Sequence, residues 1–115
     1  MITGIGIDIV DRARFHNVTD KHFLGQLFTE KELCAASAHH DATRWASWFA
    51  LKEAVMKTFC IGLHLGSHWH DIEIHEDGGV MVSGIFTPHL KSSTVIHATR
   101  CRSKRHIIGF VLAQE

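Results

Sequence analysis

Residues 1–15 read MITGIGIDIVDRARF, and the fold turns on how Gly4-Ile5-Gly6-Ile7-Asp8-Ile9-Val10 is read. Isoleucine alternates with glycine and aspartate, which predicts a strand, because successive strand side chains point to opposite faces. On that pattern Ile5, Ile7 and Ile9 form a packed core face, while Gly4, Gly6 and Asp8 look the other way. Glycine weakens a strand interior unless a ligand or another backbone must come close. A carboxylate in an apolar strand needs a partner, a metal ion or solvent. The glycines therefore read as clearing open space beside a single carboxylate, Asp8.

Outward from this strand, residues 12–27 are amphipathic and weakly helical. Thr29-Glu30-Lys31-Glu32 has the form of a capping box and opens a helix expected to run to about His39. Asp41 caps the longest helix, expected from about Ala42 to Phe59. Its residues Trp45, Trp48, Phe49, Val55, Met56 and Phe59 recur at three- and four-residue steps and form a core stripe. Lys52 lies within that stripe, so its ammonium must find an exit or a partner. Glu53 and Lys57 sit one turn apart on the flank of the stripe. Gly62 is the expected point of departure from the helix.

The hydrophobic period then changes to two. Asp71–His75 and Val80–Val82 flank Asp77-Gly78-Gly79, and Thr94–Cys101 and His106–Ala113 flank Ser103-Lys104, predicting two hairpins. The order of strand, helices and four strands predicts one α+β domain over residues 1–115, with a long helix packed on a mostly antiparallel sheet.

Composition narrows the function classes. Twelve Lys and Arg balance twelve Asp and Glu, so no net field recruits nucleic acid or a membrane surface. No apolar run approaches the roughly 20 residues of a membrane span, and no signal peptide is evident. Cys34, Cys60 and Cys101 contain no C-x-x-C and fit the reduced thiols of a cytoplasmic protein, expected as small core residues. The chain has 11 histidines, among them His39-His40, His64, His68, His70 and His75. Without nearby cysteines these read mainly as surface residues, a histidine-rich metal-handling protein being the weaker reading.

Gly4-x-Gly6 is not a dinucleotide fingerprint, because the place of the third glycine is taken by Ile9 inside the strand. What remains is Asp8 on a strand and Glu53 with Lys57 on a helix. Two converging carboxylates suit a magnesium ion, and a nearby lysine suits phosphate oxygens. The plainer reading of Glu53 and Lys57 is an exposed helix pair of small stabilising effect.

Gly4–Val10, Phe28-Thr29-Glu30-Lys31-Glu32-Leu33 and Trp48-Phe49-Ala50-Leu51-Lys52-Glu53-Ala54-Val55-Met56-Lys57 together closely resemble the holo-acyl-carrier-protein synthase family. These are the small, trimeric 4'-phosphopantetheinyl transferases. The resemblance implies that fold, a homotrimer, and a place in fatty acid biosynthesis and lipid metabolism. It implies magnesium-dependent transfer of 4'-phosphopantetheine from coenzyme A to a serine of an apo acyl carrier protein, with release of adenosine 3',5'-bisphosphate. Asp8 and Glu53 match the family's metal-binding carboxylates, and Lys57 its phosphate-supporting lysine. Arg14 matches a basic position that meets the carrier protein. The family's active site lies between subunits, so Lys57, Gly62 and the late strands are expected to contact the same coenzyme as a neighbour's Asp8.

The chain also departs from the family pattern. Cys60-Ile61-Gly62-Leu63-His64 has one glycine where the family's phosphate-cradling turn has at least two. Gly79-Val80-Met81 replaces Gly-Lys-Pro, and Trp48 stands where arginine is common. Thr99-Arg100-Cys101-Arg102 replaces S-x-[ST]-H. Thr99 keeps a hydroxyl toward the coenzyme. Arg102 cannot act as a base, but with Lys104 and Arg105 it reads equally as a binder of the coenzyme's 3'-phosphate or as part of a solvated turn. The alternative function is a catalytically weak or inactive paralogue that binds coenzyme A or a carrier protein.

Overall fold

The computed structural model describes residues 1–36 and 41–115. The glycine-rich segment is strand β1 (Ile2–Asp11), which runs into a 3-10 turn at Arg12–Phe15. Helices α1 (Lys21–Leu27) and α2 (Glu30–Ala35) lead to the long α3 (Ala42–Phe59). Strands β2 (Ile72–Ile74) and β3 (Val80–Val82) form one hairpin, and β4 (Val95–Arg102) and β5 (His106–Gln114) the other. β1, β5 and β4 pair antiparallel in that order, and β2 with β3 makes a separate two-stranded sheet.

Local chemistry accounts for the helix starts. The Thr29 N–H donates to Glu32 Oε1 at 2.7 Å, and the Glu32 N–H returns a bond to Thr29 Oγ1 at 3.2 Å, closing the expected capping box. Asp20 and Asp41 cap α1 and α3 through their carboxylates. α2 ends at Ala35 rather than near His39, and the pair His39-His40 lies outside the described residues.

The core forms where α3 lies across the three-stranded sheet. Phe28 stacks on Trp45 with centroids 4.6 Å apart, and Phe15 and Trp69 flank Phe49 at 5.5 and 5.1 Å. Lys52 is fully buried among these groups. Its ammonium donates to Glu32 Oε1 at 2.7 Å, to Leu27 O at 2.9 Å and to Trp69 O at 3.1 Å. The partner that its place in the stripe demanded is therefore Glu32.

The facing of β1 is the reverse of the sequence expectation. Ile5, Ile7 and Ile9 are 54, 50 and 60% exposed, and the glycine face packs on α3. A Cβ on Gly4 would collide with the Thr58 carbonyl, and one on Gly6 with the Ala54 carbonyl. On β5, a Cβ at Gly109 would stand 2.9 Å from the Ala50 carbonyl oxygen. Three glycines on two neighbouring strands thus let the helix backbone settle onto the sheet, and the Thr58 hydroxyl donates to Ala54 O at 2.7 Å within that contact. The space beside Asp8 is filled by helix.

Two smaller expectations also change. Cys34, Cys60 and Cys101 are exposed rather than in the core, because Cys101 points to the outer face of β4 and Cys60 ends α3. The chain leaves α3 at Cys60, in the left-handed region with φ 55°, and Gly62 follows in extended backbone with φ −87°. No helix among the described residues is long and apolar enough to cross a membrane.

The glycine contact yields a prediction. Gly6→Ala places a methyl group against backbone that cannot rotate away, so α3 must shift. A loss of about 1–3 kcal/mol is expected, the usual cost of overpacking, read as a lower urea midpoint. An unchanged midpoint would show that the contact is slack.

Candidate active site

The close seating of α3 on β1 is what assembles the site. Asp8 shares the helix-facing side of β1 with Gly4 and Gly6, opposite Gly109 of β5. One turn along the flank of α3, Glu53 and Lys57 reach toward it. The Lys57 ammonium donates to Asp8 Oδ1 and to the Ile7 carbonyl oxygen, each at 3.0 Å. Burial pushes the Glu53 pKa up, and the negative charge of Asp8 adds to that rise, while Lys57 and Arg14 oppose it. Two carboxylates and two cationic side chains therefore share one electrostatic neighbourhood.

Arg14 belongs to this neighbourhood by packing as well as charge. Its guanidinium lies 4.5 Å from the centroid of the Phe49 ring, on the next turn of α3 from Glu53. The 3-10 turn that carries it is fixed by Asp11, whose carboxylate accepts the Ala13 N–H at 2.9 Å.

Beyond Lys57 a groove of about 550 Å³ opens, lined by Glu53, Lys57, Cys60, Gly62, Leu63 and His64. The His64 ring folds against Gly62, where a Cβ would stand 3.0 Å from its Nδ1. The sequence reading marked this turn as altered but did not place His64 in the groove wall. Its signal was a ring-bearing residue two positions beyond the glycine of a short exit turn.

The donor set fits a hard divalent cation. The charge of Asp8 helps raise the Glu53 pKa after burial, and Lys57 supplies a positive group to Asp8. Such an ion needs only one or two protein carboxylates when water and phosphate complete its shell. Among the described residues no three His, Cys, Asp or Glu side chains gather as a metal cluster, so His64, His68 and His70 do not form one.

Within the single chain Asp8, Glu53, Lys57 and Gly62 come together, Lys57 joining the ion pair with Asp8 to the groove that Glu53 and Gly62 line. Thr99 and Arg102 do not join them. Thr99 lies on the outer face of the sheet, beside Phe110 of β5. Arg102 lies on the opposite face with Arg100, lining a second cavity of about 290 Å³ with Thr43, Arg44 and Ser47 near the start of α3. Arg44 and Lys57 are about 20 Å apart along the helix at its standard rise.

Comparison with known proteins decides what this arrangement belongs to. Residues 4–111 match the family model of the 4'-phosphopantetheinyl transferase superfamily. The chain belongs to that superfamily. Among curated relatives, the holo-[acyl-carrier-protein] synthase of Geobacter metallireducens is 44% identical over 82 residues, covering 67% of this chain and 64% of that protein. The match thus spans less than two thirds of that relative's length. The synthase of Koribacter versatilis is 35% identical over 99 residues, covering 83% of this chain and 78% of that one.

Solved structures of superfamily members agree. A holo-(acyl-carrier-protein) synthase from Bacillus anthracis, in complex with CoA (3',5'-ADP), superposes with a TM-score of 0.76 at 27% identity, covering 98% of this chain and 96% of that one. The Helicobacter pylori synthase, in complex with coenzyme A, has the same fold, with a TM-score of 0.77 at 23% identity, covering 96% and 99%. The transferase fold and the α+β architecture are therefore those of this chain.

Proposed function

We propose that this chain transfers the 4'-phosphopantetheine group of coenzyme A to a serine of an apo acyl carrier protein and releases adenosine 3',5'-bisphosphate. The observation that carries the reading is the convergence of Asp8, Glu53 and Lys57 at the mouth of the groove that Gly62 and His64 line. The names of its synthase relatives and the coenzyme complex of its Bacillus neighbour support the same substrate pair.

Asp8 and Glu53 would hold magnesium, and Lys57 would hold a phosphate oxygen. When bound, the ion supplies neutralisation of pyrophosphate charge and acidification of a serine hydroxyl. The chain's own residues do the rest. Lys57 reaches phosphate from its position at the groove mouth and offsets the charge that the leaving bisphosphate carries away. Gly62 keeps the groove wall low beside His64. Arg14, exposed on the turn after β1, presents its guanidinium to an acidic carrier protein while Phe49 fixes its plane.

The assembly we propose is a homotrimer built on the outer face of the three-stranded sheet. Ile5, Ile7 and Ile9 of β1 align there with Leu112, Phe110 and Ile108 of β5, and the three β1 side chains are half exposed or more. An apolar surface of this kind is typical of contact between copies. In that trimer Thr99 and Arg102 serve coenzyme bound at a neighbouring subunit. Ile7→Asp leaves the chain folded, since Ile7 is already 50% exposed, and turns the trimer into monomers in analytical ultracentrifugation. A trimer that survives this change places the interface elsewhere.

The function is tested by intact-protein mass spectrometry of apo acyl carrier protein after incubation with this protein, coenzyme A and magnesium. A gain of one phosphopantetheine, abolished by EDTA, is expected. No gain across the carrier proteins of the source organism overturns the assignment.

A further inference from the structure

The Lys57 ammonium sits against Asp8, the carboxylate that would help hold a divalent ion. Two of its three protons are committed to β1, to Asp8 Oδ1 and to the Ile7 carbonyl oxygen, each at 3.0 Å. The Asp8 side chain is 15% exposed and that of Lys57 52%, so the carboxylate is covered in part by a side chain free to leave. The backbone carbonyl gives the ammonium a second anchor, which an ordinary surface ion pair lacks. Lys57 also lines the groove into which phosphates would come.

We propose that Lys57 is a resident cation which holds Asp8 in the free chain, competes with a divalent ion for it, and yields it when phosphate oxygens enter the groove. The inference rests on the metal reading of Asp8 and Glu53 above and adds a coupling to it. Loading of the ion and arrival of the phosphate ligand favour one another because the same ammonium must exchange one anion for another. Coupling of this kind is reciprocal between the two ligands. Arg14 differs in that its guanidinium is stacked on Phe49 and makes no hydrogen bond to Asp8.

The test is manganese binding to the whole chain, followed by the loss of the free-ion resonance signal, without coenzyme and then with saturating coenzyme A. Lys57→Met keeps the length of the stem and removes the charge. It is expected to bind Mn2+ about fivefold more tightly than wild type when coenzyme is absent, as loss of a partly exposed competing ion pair allows. Arg14→Gln is expected to change that affinity less than about twofold, because only field and no direct competition is lost. With coenzyme A the difference between wild type and Lys57→Met should close.

Equal affinity of wild type and Lys57→Met overturns the competition, and so does an equal gain in Arg14→Gln, which would make the effect one of field alone. A difference that coenzyme A leaves untouched overturns the coupling. Absence of Mn2+ binding in all three proteins, with and without coenzyme A, overturns the metal reading together with this inference. Binding that persists with unchanged affinities overturns the inference alone.

Discussion

Asp8→Ala and Glu53→Ala are each expected to lose phosphopantetheine transfer by about 100-fold or more while remaining folded. A divalent ion that stabilises developing charge is worth several kcal/mol, and each 1.4 kcal/mol is about a tenfold change in rate. The fold should survive because neither side chain holds the core together. Asp8 pairs with a Lys57 that is 52% exposed, a contact of small energy. Glu53 works against folding when ionised. Burial and the charge of Asp8 hold its pKa above the ordinary carboxylate value, so between the two values the folded chain keeps a proton that the unfolded chain has lost. The ionised state therefore costs the folded chain stability at neutral pH, and removing the group recovers it. Glu53→Ala should then be at least as stable as wild type at pH 7 in urea unfolding and far less active in the mass assay. Full activity in either variant would remove the carboxylate pair from the reaction, and joint loss of activity and stability would make the pair structural.

What was legible in the sequence follows from how local each signal is. The Thr29–Glu32 capping box, the Asp41 cap and the Asp77-Gly78-Gly79 turn rest on contacts within a few residues, and each is found as expected. The need of Lys52 for a partner was legible from its place in an apolar stripe, but the identity of Glu32 was not, because the two lie on separate helices. The face of β1 was misread for a physical reason. A glycine row that admits a helix backbone has the same alternation as one that admits a ligand, and half-exposed isoleucines have the same alternation as buried ones. Only the position of Ala54 and Thr58 against Gly4 and Gly6 separates the two. The sequence named Asp8, Glu53 and Lys57 as candidates, and the fold brings those three together while it holds Thr99 and Arg102 apart from them. Asp8, Glu53 and Lys57 lie in one chain because those glycines bring α3 close, whereas Thr99 and Arg102 fall on opposite faces of β4, a consequence of strand alternation over three positions.

The largest expected loss of stability belongs to the buried pair beneath the site. Lys52 and Glu32 are both fully buried, and every polar atom of the pair is bonded. The Lys52 ammonium uses three donors on Glu32, Leu27 and Trp69. Glu32 accepts in turn from the Thr29 and Ile74 N–H groups, the latter at 2.8 Å. One ion pair thereby ties α2, α3, β2 and the chain end of α1 together. Burial pulls the Lys52 pKa down while Glu32 pulls it back up, so the charge depends on its partner. Lys52→Met leaves an uncompensated carboxylate in the core. Glu32→Gln leaves an unpaired ammonium and turns an amide N–H toward the Ile74 N–H or the Lys52 ammonium. Either change is expected to cost about 3–5 kcal/mol, read from urea unfolding, because breaking one side of a buried pair strands the other charge. The double variant Lys52→Met with Glu32→Gln strands no charge and should lose less than the sum of the two. Strictly additive losses would show that the two groups act separately, and the tie between the capping box of α2 and the middle of α3 would have to come from the aromatic cluster alone.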